Sequence, residues 1–108
     1  FAERIRSHLR RMDVVGRAGP VNTFGRYGGE EFLLLLPYAS ADSALQCVER
    51  LRRAVEAEPL PTSDGALRLT FSAGIAEHHA GEAVATTLKR ADEALYRAKT
   101  LGRNRVEL

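Results

Sequence analysis

The sequence predicts an α/β (α+β) protein in which helices flank a mixed central β-sheet. Segments with helical and extended periodicity alternate along the chain, and one pair of strands is joined by a tight glycine turn. The 108 residues, 44% hydrophobic and 28% charged, have the composition of a globular protein with one core. No linker divides the chain, so we expect a single domain over residues 1–108.

Three segments have the periodicity of amphipathic helices. Residues 1–12 carry apolar positions at helical spacing with arginines between them, and the pattern is already running at the first residue. Ser40 can cap a second helix, which Pro59 stops, and Gly102 can close the third. The apolar positions of the second and third helices are Ala44, Leu45, Val48, Leu51, Val55, Val84, Leu88, Ala91, Leu95 and Ala98.

Extended patterns predict the strands of the sheet. A strand over residues 13–15 is interrupted by turn-forming residues and resumes at residues 23–24. The continuous apolar run 32–36 is typical of a strand buried on both faces. Residues 67–76 alternate between large apolar and smaller side chains, which predicts one strand with one core face, and a short strand near Val106 can finish the sheet.

Charge and cysteine content limit the possible partners and compartments. The net charge of +2 predicts no polymeric nucleic-acid partner, but fourteen of the sixteen basic residues are arginines, whose planar guanidinium suits phosphate and carboxylate. The single Cys47 excludes an internal disulfide and agrees with a reducing compartment. No apolar segment is long enough to span a membrane, and no signal peptide opens the chain.

The segment GRYGGEEF, residues 25–32, places two glycines directly before two carboxylates. Gly28 and Gly29 predict a hairpin turn, after which Glu30 and Glu31 begin a strand and point to opposite faces. The carboxylate beside the turn can coordinate a hard cation, while the glycine backbone leaves room for a phosphate or base edge. The alternative is an ordinary hairpin with two solvated glutamates.

A pair of cations lies near the end of the last predicted helix. Lys99 and Arg103 are four residues apart, which predicts that they share one helical face, where their charge also suits the helix dipole. The alternative is a basic turn that only complements the dipole. Together with a carboxylate-bearing glycine turn, a cation pair is what a nucleoside triphosphate and its magnesium require.

Four motifs in order connect these features to a known family. The segments GRYGGEEF, LLLLP, LTFSAGIA and LKRADEALYRAKTLGRNRV together resemble the GGDEF domain family, the bacterial diguanylate cyclases. The resemblance runs from Phe1 to the C-terminus and implies a nucleotidyl-cyclase, ferredoxin-like fold. It also implies that two GTP molecules condense into cyclic di-GMP in an antiparallel homodimer, where the 3′-hydroxyl of each GTP attacks the α-phosphate of the other.

The resemblance implies a role for each matching residue. Gly28 and Gly29 would lie against the nucleotide, Glu30 would bind Mg²⁺ or Mn²⁺, and Glu31 would be a second essential acid. The cation pair at the end of the last helix would hold the terminal phosphates. The resemblance further implies an upstream sensory domain and a cytoplasmic location. The chain would then belong to a cytoplasmic protein or to the cytoplasmic domain of a membrane-anchored sensor.

The family also has an inhibitory product site with an Arg-x-x-Asp motif. Arg10 and Asp13 fit this pattern, and Arg50 matches a position that contributes a second product contact in relatives. Arginine can stack on guanine and pair with phosphate, while the carboxylate accepts from the base edge. The alternative for Arg10 and for Arg50 is an ordinary solvated helix face.

Two departures from the family pattern concern the ends of the site. The segment between Asp13 and Gly28 is nine residues longer than in relatives. The extra residues are GRAGPVNTF at 16–24, which resemble a diverged copy of the motif that follows. An odd-numbered insertion must loop out or bulge to keep the strand register. The strand and helix with which relatives begin, including an Asp that binds metal, are missing, so we expect a fragment that is inactive alone.

Three functional classes remain open on the sequence. The first is a diguanylate cyclase whose N-terminal portion precedes this chain, and the second is a non-catalytic receptor that binds cyclic di-GMP through Arg10 and Asp13. The third is a regulatory dimerisation domain without nucleotide. The intact GGEEF, Lys99 and Arg103 favour the first, because a receptor has no evident need for residues that bind a triphosphate.

Overall fold

The computed structural model describes residues 3–5, 7, 23–28, 31–37 and 39–108 of the chain. These residues belong to two compact units, Phe1–Ala39 and Ser40–Leu108. Helices and strands alternate within them, and the strand pairs are both parallel and antiparallel, which confirms the α/β class and the mixed pairing. The single domain over the whole chain stays a prediction.

The first unit contains helical residues and one β-hairpin. Residues 3–5 and 7 are helical, and Ile5 is only 2% exposed, as the predicted amphipathic helix requires. Strand β1, Thr23–Gly28, pairs antiparallel with β2, Glu31–Leu35. The predicted strand at residues 13–15 lies outside the described residues.

The prediction that the second strand is buried on both faces is wrong. The three central residues of β2 are half-buried, and Leu35 at its end is 50% exposed. The physical reason lies in the pairing, because β1 is the only hydrogen-bonded neighbour of β2 among the described strands. A two-stranded ribbon covers less of a strand than the interior of a sheet does.

The second unit contains two long helices whose bounds follow the sequence signals. Helix α1, Ala41–Ala57, begins where the Ser40 hydroxyl accepts a hydrogen bond from the Ser43 backbone N–H at 3.1 Å, and it ends before Pro59. Helix α2 is Val84–Thr100. The buried residues of α1 are all predicted apolar positions, namely Ala44, Val48, Leu51 and Val55. In α2 the buried residues are Ala98, which was predicted, and Ala94, which was not.

The predicted strand over residues 67–76 is wrong in its extent. Strands β3, Leu60–Thr62, and β4, Gly65–Leu67, form a small antiparallel hairpin that takes up the start of the predicted strand. Only β5, Ala73–Gly74, is a strand in the remainder, and it pairs in parallel with β6, Val106–Glu107. The β3–β4 turn is the physical reason, while the short final strand confirms the prediction near Val106.

Helix α2 approaches the backbone of β5 at Gly74. A Cβ atom at this position would lie 2.2 Å from the carbonyl oxygen of Ala91 and 2.2 Å from the backbone nitrogen of Leu95. Both atoms belong to the helix backbone, which cannot rotate away as a side chain can. The absent side chain of Gly74 therefore sets how closely the helix packs on this strand.

The loop before α2 is held by the carboxylate of Glu82. Its Oε1 accepts hydrogen bonds from the His79 backbone N–H at 2.9 Å and the Thr87 hydroxyl at 2.8 Å, and Arg90 forms an ion pair with it. The His79 hydrogen bond is the main cause that lowers the pKa of Glu82 below the ordinary value of 4.5. The charged form is therefore the one that the folded loop stabilises.

We expect Glu82→Gln to lower the melting temperature at neutral pH. Because folding lowers the pKa of Glu82, its contribution is complete above the unfolded value of 4.5 and is lost as the pH falls through the folded value. Thermal unfolding from pH 7 to pH 3 should show the wild-type advantage shrinking on the acid side. Glu93→Gln, at an exposed position of α2, is the control; a pH-independent difference for Glu82→Gln would contradict this role.

Candidate functional site

The described strands meet at Gly28 and Glu31. Gly28 is the last residue of β1 and pairs with Glu31, the first residue of β2. Glu31 is exposed. Glu31 begins β2 as the sequence predicts. Gly29 and Glu30 lie outside the described residues, so the placement of Glu30 stays a prediction.

Strand β1 contains a β-bulge near its end. Arg26 pairs with Phe32 and Gly28 pairs with Glu31, so that Tyr27 is the extra residue of β1. A bulge changes the register over one residue and re-aims the side chains beyond it. The loop or bulge predicted for the insertion at residues 16–24 stays a prediction, because residues 16–22 lie outside the described residues.

Helix α2 ends in a glycine motif between the two predicted cations. Gly102 has φ +127°, and the Arg103 N–H donates to the Ala98 carbonyl at 2.9 Å, which is the six-to-one hydrogen bond of a Schellman motif. Lys99 lies in the last turn of the helix, whereas Arg103 lies beyond its end. The prediction that both share one helical face is therefore wrong, because Gly102 turns the chain between them.

The side chains of both predicted cations are available to bind an anion. The side chains of Lys99 and Arg103 are exposed, and neither forms an ion pair or hydrogen bond with another residue in the described ranges. An anion can reach them without first displacing a described partner.

Asn104 has no role predicted from the sequence, yet it ties the loop after α2 to the rest of its unit. Its backbone N–H donates to the Ser72 hydroxyl at 3.0 Å, its Oδ1 accepts from Arg52 Nη1 at 3.0 Å, and its Nδ2 donates to Glu56 Oε2 at 2.8 Å. A local signal was present in the Gly-Arg-Asn order at a helix end, because asparagine tolerates positive φ. The partners themselves have no local signal, since they lie far away in the sequence.

Helix α1 positions the residues that contact Asn104. Arg52 pairs with Glu49 and, at 3.3 Å, with Glu56 along one face of the helix, and its side chain is only 13% exposed. The hydrogen bond from Arg52 is the main cause that lowers the pKa of Glu49. Charged partners on successive turns hold one another in place, so this part of α1 offers Asn104 a fixed acceptor and a fixed donor.

The predicted product site is not assembled within the described residues. Arg50 lies exposed on α1, while Arg10 and Asp13 fall outside the described ranges. The site therefore stays a prediction.

The described residues offer no complete metal site. No cluster of three or more His, Cys, Asp or Glu side chains among them is arranged to hold a metal ion. Glu31 supplies one exposed carboxylate beside the turn.

Within the same described ranges, no helix is both long and apolar enough to cross a membrane.

Comparison with solved structures identifies the fold of the chain. The GGDEF domain of DgcB from Caulobacter crescentus, solved with c-di-GMP, matches with a TM-score of 0.80 and 34% identity over 96% of this chain and 58% of that one. The active GGEEF domain of a diguanylate cyclase from Vibrio cholerae matches with a TM-score of 0.75 and 28% identity, covering 98% of this chain and 66% of that one. The chain thus has the nucleotidyl-cyclase-like α/β fold of GGDEF domains.

Sequence comparison gives the family. Residues 1–105 match the family described as "Diguanylate cyclase, GGDEF domain". The diguanylate cyclase DgcP of Pseudomonas aeruginosa is 41% identical over 108 residues, which cover all of this chain but 15% of that protein. The chain therefore belongs to the GGDEF family, and it spans only a small part of this curated relative.

Proposed function

We propose that this chain is part of a diguanylate cyclase that condenses two GTP molecules into cyclic di-GMP in an antiparallel homodimer. The observation that carries the proposal is the cation pair at the end of α2: Lys99 and Arg103 are exposed and have no described anionic partner, although the chain is rich in acidic residues. A triphosphate supplies the negative charge that such a pair lacks. The family match over residues 1–105 supports the same conclusion.

The roles in the proposed reaction follow from charge and access. Lys99 and Arg103 hold the terminal phosphates, and the guanidinium can bind two phosphate oxygens at once. Gly28 and Gly29 let the nucleotide approach the backbone of the hairpin. Glu30 holds Mg²⁺ or Mn²⁺, and Glu31 is the second acid at the turn. The ion, when bound, neutralises charge on the phosphates.

A second proposed property is binding of the product at Arg10, Asp13 and Arg50. It is supported by the solved complex of the DgcB domain with c-di-GMP, a domain that shares this fold. Occupation of this site by cyclic di-GMP would inhibit synthesis. An upstream sensory domain and a cytoplasmic location belong to the same proposal.

Removing the charge of Lys99 tests the substrate assignment. In the complete protein that carries this chain, Lys99→Gln should raise the KM for GTP about tenfold, because a charge-assisted phosphate contact is lost. The measurement is the initial rate of cyclic di-GMP formation against GTP concentration. Lys89→Gln is a matched control, since Lys89 is the other lysine of the chain and is exposed on the same helix. Equal KM values for the two variants would contradict the assignment.

A further inference from the structure

The loop after α2 has an unusual backbone at Arg103 and Asn104. Both residues have positive φ, +61° and +47°, directly after Gly102. Residues other than glycine and asparagine rarely adopt this backbone conformation, and an arginine side chain does not stabilise it. Such a backbone persists only where the surrounding contacts fix it, and it is often found where a side chain must be presented in one direction.

The contacts of Asn104 supply that constraint. Its amide oxygen and amide nitrogen are both used, the first by Arg52 at 3.0 Å and the second by Glu56 at 2.8 Å, so α1 holds the side chain from two directions. Its backbone N–H is bound by Ser72 at 3.0 Å, just before β5. The loop is therefore joined at one residue to two different parts of the unit.

Arg103 lies between two fixed points of the backbone. On one side its own N–H is bound to the Ala98 carbonyl of α2 at 2.9 Å, and on the other side stands Asn104 with its three hydrogen bonds. The Arg103 side chain itself is exposed and has no partner among the described residues. The backbone is held while the guanidinium stays available, which is the arrangement expected of a ligand-binding arginine rather than a structural one.

We propose that Asn104 is a positioning residue that fixes the backbone of Arg103 and so aims its guanidinium at the terminal phosphates of GTP. This inference rests on the proposed function, in which Arg103 binds those phosphates. A planar guanidinium binds two phosphate oxygens only from a restricted set of directions. A loop that could turn freely would lose binding free energy each time it had to be ordered around the ligand.

A double-mutant cycle on GTP affinity tests the inference. Isothermal titration calorimetry with GTP is carried out on the complete protein without added divalent metal, so that no turnover occurs, for wild type, Asn104→Gly, Arg103→Ala and the double variant. Thermal unfolding is followed in parallel. Glycine accepts positive φ, so Asn104→Gly removes the hydrogen bonds of the side chain without adding backbone strain. We expect this variant to weaken GTP binding about tenfold, and to have no further effect in the Arg103→Ala background.

Two further variants separate positioning from stability. Asn104→Asp keeps the oxygen that accepts from Arg52 but replaces the donor to Glu56 with a second carboxylate, so it should lose GTP affinity as Asn104→Gly does. Arg68→Gln removes another cation paired with Glu56 but leaves the contacts of Asn104 in place, so its GTP affinity should stay within about twofold of wild type. A role in stability alone would lower the melting temperature and leave GTP affinity unchanged.

The possible outcomes are distinct. Equal weakening of GTP binding by Asn104→Gly in both backgrounds would overturn the positioning role while leaving Arg103 as a phosphate ligand. Unchanged affinity on Arg103→Ala would overturn the phosphate assignment and the inference with it. Because binding is measured without turnover, a failure to form cyclic di-GMP would contradict the proposed function separately from the result of the cycle.

Discussion

Gly74→Ala is expected to destabilise the protein by at least about 3 kcal/mol, although it adds a single methyl group. The new Cβ would lie 2.2 Å from two backbone atoms of α2, the carbonyl oxygen of Ala91 and the nitrogen of Leu95. Since neither atom can move without the helix, α2 must shift away from β5. The shift would also loosen the packing around the buried Ala94 and Ala98. Urea denaturation followed by circular dichroism measures the loss.

The control for this variant is Gly25→Ala in β1. A Cβ at Gly25 meets no atom within 4 Å, and its φ lies outside the positive range that disfavours side chains. This variant should change the free energy of unfolding by less than about 1 kcal/mol. If Gly74→Ala were as stable as Gly25→Ala, the close packing of α2 on β5 would be contradicted.

Glu30→Gln is expected to lower the rate of cyclic di-GMP formation at least about 100-fold, because the amide keeps the size of the side chain but loses the charge that holds the metal. The effect should fall on kcat at saturating GTP. The measurement is product formation by the complete protein at saturating Mg²⁺.

Glu93→Gln makes the same change of charge at an exposed position of α2 and should keep the wild-type rate. Near-normal synthesis by Glu30→Gln would exclude Glu30 as the metal ligand. Raising the Mg²⁺ or Mn²⁺ concentration should recover part of the lost rate if weakened metal binding is the cause.

Helix ends were predictable from sequence because their signals are local. Ser40, Pro59 and Gly102 each lie within one turn of a helix end, and each helix begins or ends where these residues predicted. The buried face of α1 follows the same logic, since apolar spacing reports which side of a helix is covered. In α2 the spacing predicted the burial of Ala98 but not that of Ala94.

The strands were less predictable because their extent depends on turns and partners. Alternation over residues 67–76 cannot reveal that the β3–β4 hairpin removes its first residue, Leu67, or that β6 pairs with only two of the others. The bulge at Tyr27 likewise changes the register of β1 against β2 without changing any local pattern. Pairing across a sheet is a non-local property, and local alternation is compatible with several registers.

The residues of the candidate site were predictable from the sequence, but the hydrogen bonds that hold them in place were not. The motif residues at Gly28 and Lys99 are visible in the sequence, whereas the hydrogen bonds of Asn104 to Arg52 and Glu56 join segments about fifty residues apart. No periodicity or spacing rule connects such positions. The structure adds the fixed backbone behind Arg103, and with it a residue that motif reading had passed over.

The proposed synthesis of cyclic di-GMP is tested most directly by the mass balance of GTP conversion by the complete protein with Mg²⁺. Two GTP should be consumed for each cyclic di-GMP formed, with release of two pyrophosphates, and Glu30→Gln should lower this conversion at least about 100-fold. Chromatographic quantification of GTP, cyclic di-GMP and pyrophosphate gives all three values from one reaction. Binding of GTP without formation of cyclic di-GMP, or equal conversion by Glu30→Gln, would contradict it.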